Sequence, residues 1–467
     1  MIETHLDERR QTVKLGLIKV IPELFSGESF KAVFSIGKGV YCELENSVIS
    51  TREVEKLSAR MLEWENSGDN IQLLFKKDYY YYRVGDVIVK TIHPAAVDPS
   101  NVAPYRLIPF SNGFIVDFDY DRTDPRKSYI LPLKMSESYR ETHEWLKELK
   151  LEHSFEVNTH IAKSIGNDLL DTGEAIHEKK ISMIADMIKD QRRALRVVLI
   201  SGPSASGKTS FTQRLFTHLK VNGLKPVLLA LDEYFLKREH LPLDEQGAYD
   251  FDNIKALDLS LLQAHVKALI DCQSVETPVY DFVTGQRSNI TNSMSLDPDQ
   301  ILIISGIHAL NPALLEIKSR SMLFKIYLSS LYGINIDSMN RVPATDARLI
   351  RRMVRGNLFR GVDPEKTFAM WPSIRKGEEK YVFQFQEDCD IMFNSSLVYE
   401  LNALRPFAEE ALQKVPDNSV HYPTKKRLLD LLSFFDPLDP SKIPFNSVLR
   451  EFIGGSSYAP EEKIKIY

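Results

Sequence analysis

Four short, almost wholly apolar runs punctuate the second half of the chain: RVVLIS (196–201), PVLLAL (226–231), ILIIS (301–305) and LFKIYLS (323–329). Runs without a polar face read as strands buried on both sides, as in a parallel sheet. Between them the apolar residues change to a helical period. Ile176, Ile181, Ile184, Ala185 and Ile188 precede the first run, and Phe211, Leu215 and Leu219 follow it. Strand and helix signals in alternation predict an α/β fold, a parallel sheet flanked by helices.

Residues 1–165 have another rhythm. SFKAVFSIGKGVYCEL (29–44) reads as strand, glycine turn, strand, and DYYYYRVGDVIVKTI (78–92) is β-rich. PYRLIPFSNGFIVDFDY (104–120) reads as a hairpin turning at Ser111, Asn112 and Gly113. STREVEKLSARMLEWE (50–65) reads as a helix with Ser50 or Thr51 as N-cap and Glu53 in its first turn. These residues form an α+β domain by this reading. Turn formers gather in GNDLLDTG (166–173), which sets the boundary there, with a connecting helix over 166–195 and the sheet domain over 196–415. The segment 416–467, rich in proline and aspartate, is expected to pack on the sheet domain as a C-terminal extension.

Composition narrows the class. A chain of 467 residues exceeds one ordinary core, which agrees with two domains and a tail. The net charge of -5 offers no global basic field for a nucleic-acid backbone. Cys42, Cys272 and Cys389 lie far apart without a CxxC pair, against a disulfide framework or a zinc ribbon and in keeping with a reducing compartment. The charged start and the lack of any apolar run near the roughly 18 residues of a membrane span lead to the expectation of a cytoplasmic protein without a membrane partner.

The sharpest chemical signal follows the first apolar run. Gly202-Pro-Ser-Ala-Ser-Gly207-Lys208-Thr209 fits G-x-x-x-x-G-K-[ST], and the helical pattern opens directly after it. Such a loop turns backbone N–H groups inward around an anion, and the helix adds its positive end. Gly202, Ser204, Ser206, Gly207, Lys208, Thr209 and Ser210 are therefore the candidate ATP-binding residues. Lys208 is expected to reach the β and γ phosphates, and Thr209 to hold Mg²⁺. Asp232 lies just beyond the run 226–231, at the carboxyl end where open α/β sheets bind ligands. In TDARLIRRMVRGNLFRG (345–361), Arg348, Arg351, Arg352 and Arg355 share one helical face.

The ordered set of phosphate loop, LDEYF, YDFDNIKALD, PVYDFVTGQR, ISGIHALN and arginine helix resembles the uridine kinase and phosphoribulokinase superfamily. More narrowly, it is similar to nucleoside kinases that carry a threonyl-tRNA-synthetase-like N-terminal region, through EAIHEKKI, MWPSIRKGEE, MFNSSLVYEL and LREFIGGS. The resemblance implies ATP- and Mg²⁺-dependent phosphorylation of a nucleoside 5′-hydroxyl, with a small-molecule acceptor and room for a homo-oligomer. It implies Asp232 as general base and metal-side carboxylate, and Arg348 and Arg351 as lid residues over the phosphates. Asp252, Tyr280, Phe282 and Arg287 would bind the acceptor. Readings without chemistry stand beside these: Asp232 as a helix cap, Tyr280 and Phe282 as core, the arginine face as a solvated helix side.

Three departures from the family pattern matter. Ser305 stands where an acidic residue usually helps hold Mg²⁺, Gly285 where uridine–cytidine kinases place a histidine, and Gly356 where an aspartate commonly follows. SIGKGVYCELENSVISTREVEKLSARM and NGFIVDF are similar to the second additional domain of threonyl-tRNA synthetases. The H-x-x-x-H pair of that domain's editing sites is missing, since His93, His143, His153 and His160 are scattered, so a packing, dimerising or regulatory role is expected. Two alternatives to a nucleoside kinase remain: a nucleotide-binding regulator weakened at Ser305, and a kinase of another small hydroxylated metabolite.

Overall fold

A computed structural model of the chain describes residues 2–121, 123, 129, 131–163, 166–243, 247, 249–281, 284–316 and 319–458. They divide into two units. The first comprises 1–159, 333–344 and 426–435, and the second 160–332, 345–425 and 436–467.

The first unit has two antiparallel sheets. Strands β1 (Phe30–Ile36) and β2 (Gly39–Leu44) pair as a hairpin; β3 (Ile71–Lys76), β4 (Tyr80–Val84) and β5 (Val87–Thr91) form a three-stranded meander. Strands β6 (Arg106–Phe110) and β7 (Gly113–Asp117) join β1 and β2 in the order β1-β2-β7-β6. The helix Thr51–Glu65 begins as its sequence suggests: the Ser50 side chain accepts from the Glu53 N–H and the Glu53 carboxylate accepts from the Ser50 N–H, a reciprocal capping box.

The helix Ile2–Leu24 has no counterpart in the sequence reading. Val13, Leu15, Leu17, Ile18, Val20 and Ile21 are all buried, so no polar face remains to mark a helical period. Gly16 lets this helix approach the next one, because a Cβ there would stand 2.5 Å from the Trp64 ring. The segment 333–344 belongs to this unit through its backbone. Asn335 donates to the carbonyls of Ala32 and Val33, both at 3.1 Å, and Ser338 O accepts from the Ala32 N–H at 3.0 Å.

The second unit is the expected α/β fold. Strands β8 (Val197–Ser201), β9 (Lys225–Ala230), β12 (Gln300–Ser305), β13 (Leu323–Ser329) and β14 (Ile391–Asn394) make a parallel sheet in the order β14-β13-β8-β12-β9. Strands β10 (Val275–Asp281) and β11 (Gln286–Met294) form a separate hairpin. The helix Gly166–Asp190 runs through the turn-former cluster and occupies most of the span read as a connecting helix. Its Ile181, Ile184 and Ile188 pack with Phe211, Leu215 and Leu219 of the helix Lys208–Val221 against Val198, Ile200, Ile303 and Ile326 of the sheet. With β8 between β13 and β12, and β9 beyond β12, the loops after β8, β12 and β9 come up side by side.

Candidate active site

The phosphate loop joins β8 to the helix Lys208–Val221. Gly207, the residue before that helix, has φ +83°, and Ala205 also adopts a left-handed conformation at φ +58°. A side chain at Gly207 would collide with Val448, so glycine is required there by both backbone and space. Lys208 folds back on its own loop, its Nζ donating to Gly202 O at 2.8 Å and Pro203 O at 2.9 Å. Burial pulls the Lys208 ammonium down to about 8, opposed by the charges of Asp232 and Glu451. Thr209 is exposed, whereas Ser206 is fully buried and its hydroxyl has no hydrogen-bond partner among the described residues.

Two carboxylates of the chain sit on loop N–H groups. Glu378 Oε1 accepts from the Ser204 N–H at 2.9 Å, and Glu451 Oε2 accepts from the N–H and hydroxyl of Ser210, each at 3.3 Å. A loop that draws carboxylates to its N–H groups is built for anions. The orphaned Ser206 hydroxyl adds another polar group for such a ligand, so the residues present fit a nucleotide phosphate chain.

Asp232 stands at the carboxyl end of β9 in the turn Leu231–Tyr234, open to solvent yet walled by protein. Desolvation raises its pKa, and the charges of Lys208, Arg360 and Arg355 oppose that rise. Ser305, at the end of β12, accepts a hydrogen bond from the Thr212 hydroxyl at 3.4 Å. No group of three or more His, Cys, Asp or Glu side chains suited to a metal occurs among the described residues. Thr209 and Asp232 are oxygen donors that, with phosphate oxygens and water, would suit Mg²⁺, which dehydrates reluctantly and keeps several waters.

The structure redistributes the arginines. Arg351 is fully buried, and its guanidinium binds Glu400 through Nε at 2.5 Å and Nη2 at 2.6 Å, with Ser395 O at 2.8 Å. Arg348 is also buried; it pairs with Glu378 and donates to Ser204 O at 3.1 Å. Neither stands at a movable rim. Both brace the loop from behind. Arg352 instead donates to the Ser204 hydroxyl at 2.5 Å, and Arg355 to Glu451 at 2.8 Å. Burial lowers the pKa of Arg352, Arg355 and Arg360, the Arg355 charge adds to the lowering at the other two, and Arg355 and Arg360 also act on Asp232. Arg348, Arg351 and Arg352 of the helical face all reach loop residues 204–205, and Arg360 is a further cation of this cluster that the sequence reading does not name.

On the acceptor side, Asp252 lies against the backbone of Gly377 in the helix Pro364–Tyr381, where a Cβ would stand 2.6 Å from the Asp252 Cβ. Burial and the Glu378 carboxylate push the Asp252 carboxyl up to about 7 against the pull of Arg352. Tyr280 is buried in β10, its N–H on the Glu233 carboxylate at 2.7 Å and its ring centroid 5.7 Å from that of Phe235. Arg287 binds Asp258 at 3.1 Å and Tyr234 O at 3.3 Å, which ties the hairpin to the turn carrying Asp232. Phe282 lies outside the described residues. Gly285 has φ +70°, and the Arg238 guanidinium covers it so closely that a Cβ would stand 2.8 Å from Nε.

A parallel sheet with a phosphate loop after its middle strand and an open carboxylate after the edge strand defines a P-loop phosphotransferase type of domain. The family comparison agrees: residues 197–399 match the Phosphoribulokinase / Uridine kinase family. A uridine kinase of Staphylococcus aureus (strain JH9) is 29% identical over 202 residues, which are 43% of this chain and 87% of that protein. Among solved structures, a possible uridine kinase from Bacillus stearothermophilus is 18% identical with a TM-score of 0.33, covering 46% of this chain and 98% of its own. A D-glycerate 3-kinase from Cryptococcus neoformans is 14% identical with a TM-score of 0.26, covering 59% of this chain and 87% of its own. The family match and the uridine kinase relatives support the superfamily and a phosphotransferase class for this unit. Among the described residues no helix is long and apolar enough to cross a membrane.

Proposed function

We propose that the second unit is an ATP- and Mg²⁺-dependent kinase that phosphorylates the 5′-hydroxyl of a nucleoside. The observation that carries the reading is the placement of Asp232, an open carboxylate beside Lys208, Arg355 and Arg360 at the carboxyl end of the sheet. Phosphoryl transfer asks a protein mainly to position its reactants and to stabilise charge. The loop 202–210 holds the phosphate chain, with Lys208 leaving its own carbonyls for the β and γ oxygens. Thr209 and Asp232 hold Mg²⁺, which when bound neutralises charge on those oxygens. Asp232 also accepts the proton of the attacking hydroxyl. Its desolvation in a walled cleft strengthens that basicity, and the neighbouring cations oppose the rise. Arg352, Arg355 and Arg360 face the transferring group, and Arg348 and Arg351 hold the loop for them.

Asp252, fixed on Gly377, binds acceptor hydroxyls; Tyr280 and Arg287 shape the hairpin that borders them. A second reading, a kinase of another hydroxylated metabolite, is favoured by one feature. Arg238 covers Gly285, so a cation stands where uridine–cytidine kinases carry a base-contacting histidine. The first unit is read as a packing or regulatory module, and the free thiols Cys42, Cys272 and Cys389 suit the cytoplasm. Incubation of the full chain with labelled ATP, Mg²⁺ and a panel of uridine, cytidine, purine nucleosides, sugar phosphates and glycerate tests the proposal. Label must pass to a nucleoside 5′-hydroxyl. Transfer only to a sugar phosphate or glycerate selects the second reading, and transfer to none of them removes both.

A further inference from the structure

The turn after β12 places a histidine between the two halves of the reaction. Because β12 lies between β8 and β9 in the sheet, residues 306–308 emerge between the phosphate loop and the turn that carries Asp232. The turn is pinned there by the Ser201 hydroxyl, which donates to Ile307 O at 2.7 Å. His308 is 1% exposed, and neither of its ring nitrogens has a hydrogen-bond partner among the described residues. Burial and the nearby Lys208 ammonium hold its pKa down to about 4, so the ring is neutral at physiological pH. A neutral imidazole carries one donor and one acceptor. Leaving both unmet in the interior is costly, and native chains carry such a cost chiefly where a ligand or water relieves it. Its aromatic neighbour is Tyr381, edge-on at 6.4 Å between centroids. The Tyr381 hydroxyl in turn joins Asn253 at 2.9 Å and Asp250 at 3.3 Å, within two residues of Asp252.

We propose that His308 is a specificity-determining residue, one of whose ring nitrogens pairs with a hydroxyl of the acceptor. A hydroxyl can donate to the bare nitrogen or accept from the protonated one, so it suits either face of the ring, and Asp252 marks where a hydroxylated acceptor approaches. The acceptor reaches the covered ring by displacing the Tyr381 side chain, whose hydroxyl holds only side-chain partners. Ser305 leaves this turn without the carboxylate expected at its start, so the imidazole is the titratable group that the turn carries. The inference rests on the kinase reading and names a determinant of its acceptor.

The test uses the full chain with the acceptor identified by the labelled-ATP panel. His308→Phe removes both polar atoms at similar shape, and His308→Gln keeps a donor and an acceptor. With the inference correct, His308→Phe raises the acceptor KM roughly 10-fold or more, the scale of one lost hydrogen bond to a buried group, and leaves the ATP KM unchanged. His308→Gln recovers part of the loss. The Phe protein without substrate also melts at the same temperature as the wild type or higher, since it buries no unmet polar atoms. His308→Leu, smaller than either ring, covers the case in which phenylalanine is not accommodated. An unchanged acceptor KM in the apolar variants, or a KM that rises only together with a fall in melting temperature and is not recovered by Gln, overturns the inference and leaves the kinase standing. A wild-type chain that phosphorylates nothing in the panel overturns the kinase reading itself.

Discussion

Glu451 accepts from both the backbone N–H and the hydroxyl of Ser210 while it holds the Arg355 guanidinium at 2.8 Å. The carboxylate thus lies on the first turn of the phosphate-loop helix, where a phosphate is favoured by the same N–H groups and the same helix end. Val448 against Gly207, and Phe452 under Arg355 at 5.5 Å, seat this C-terminal stretch on the loop.

A nucleotide that uses the Ser210 N–H must displace Glu451, so the carboxylate and the phosphate compete. Glu451→Gln is expected to tighten ATP binding several-fold, because the neutral amide is a weaker rival for the N–H and leaves Arg355 to the phosphate. Nucleotide titration with and without Mg²⁺ measures it. Weaker binding, confined to Mg²⁺, would instead make Glu451 part of the cation's surroundings.

Arg351 and Arg352 are neighbours in sequence with opposite expected phenotypes. Arg351 and Glu400 are both fully buried, and removing one partner strands the other's charge, a loss of about 3–5 kcal/mol. Arg351→Ala should therefore lower the melting temperature steeply. Arg352→Ala should leave melting nearly unchanged and cut turnover by roughly 10² or more, the scale for a group aimed at developing charge. Thermal melts beside steady-state rates separate the two. The reverse pattern would restore Arg351 to the lid.

The sheet was legible because each of its first four strands is a continuous apolar run. Strand β14 was not, since Ile391–Asn394 is short and its apolar stretch is only three residues. The phosphate loop was legible because a backbone anion nest needs glycine and lysine at fixed spacing. What lay hidden depends on partners distant in sequence. Glu378 and Glu451 meet the loop from 174 and 241 residues away, and nothing in their local sequence announces it. His308 sits inside the quoted ISGIHALN stretch, yet only burial and its missing partners distinguish it from a core histidine.

Asp252 gives the site a pH dependence. Its folded pKa of about 7 is raised from 3.8, so the folded chain holds a proton that the unfolded chain releases. The resulting stability is full below pH 3.8 and is lost as pH rises through 7. Between pH 5 and 8 the wild type should lose melting temperature relative to Asp252→Asn, in which this contribution is fixed. The acceptor KM should fall over the same range as the carboxylate ionises, with the ATP KM flat. Parallel melting curves would show that Asp252 does not titrate there.

Ser305 tests the weakened-enzyme alternative. Its hydroxyl bonds Thr212, so the serine is integrated into the loop helix and not merely a gap. If a carboxylate is needed, Ser305→Glu should lower the Mg²⁺ concentration at half-maximal rate or raise turnover, by a factor in the range of about 10–100 for a ligand or its support. No change in either quantity means that the site works around serine, and the weakened-enzyme reading loses its basis.

Asp232 decides between enzyme and binder. Nucleotide binding requires the loop, Lys208, Thr209 and the cation, whereas transfer requires in addition a group that orients the hydroxyl and accepts its proton. Asp232→Asn keeps the shape and removes the charge. Turnover should fall by roughly 10² or more, within the range of a positioned base. ATP affinity without Mg²⁺ should hold or improve, because Lys208, Arg355 and Arg360 lose a competing anion. Affinity with Mg²⁺ reports the second role: a drop there measures how much of the cation's charge Asp232 carries with serine at position 305. Since Asp232 is open to solvent, its substitution leaves no stranded buried partner and the fold should survive, which melting verifies. Undiminished product formation by Asp232→Asn would remove Asp232 as the base and shift the search to Asp252, another carboxylate within reach of the Lys208 charge.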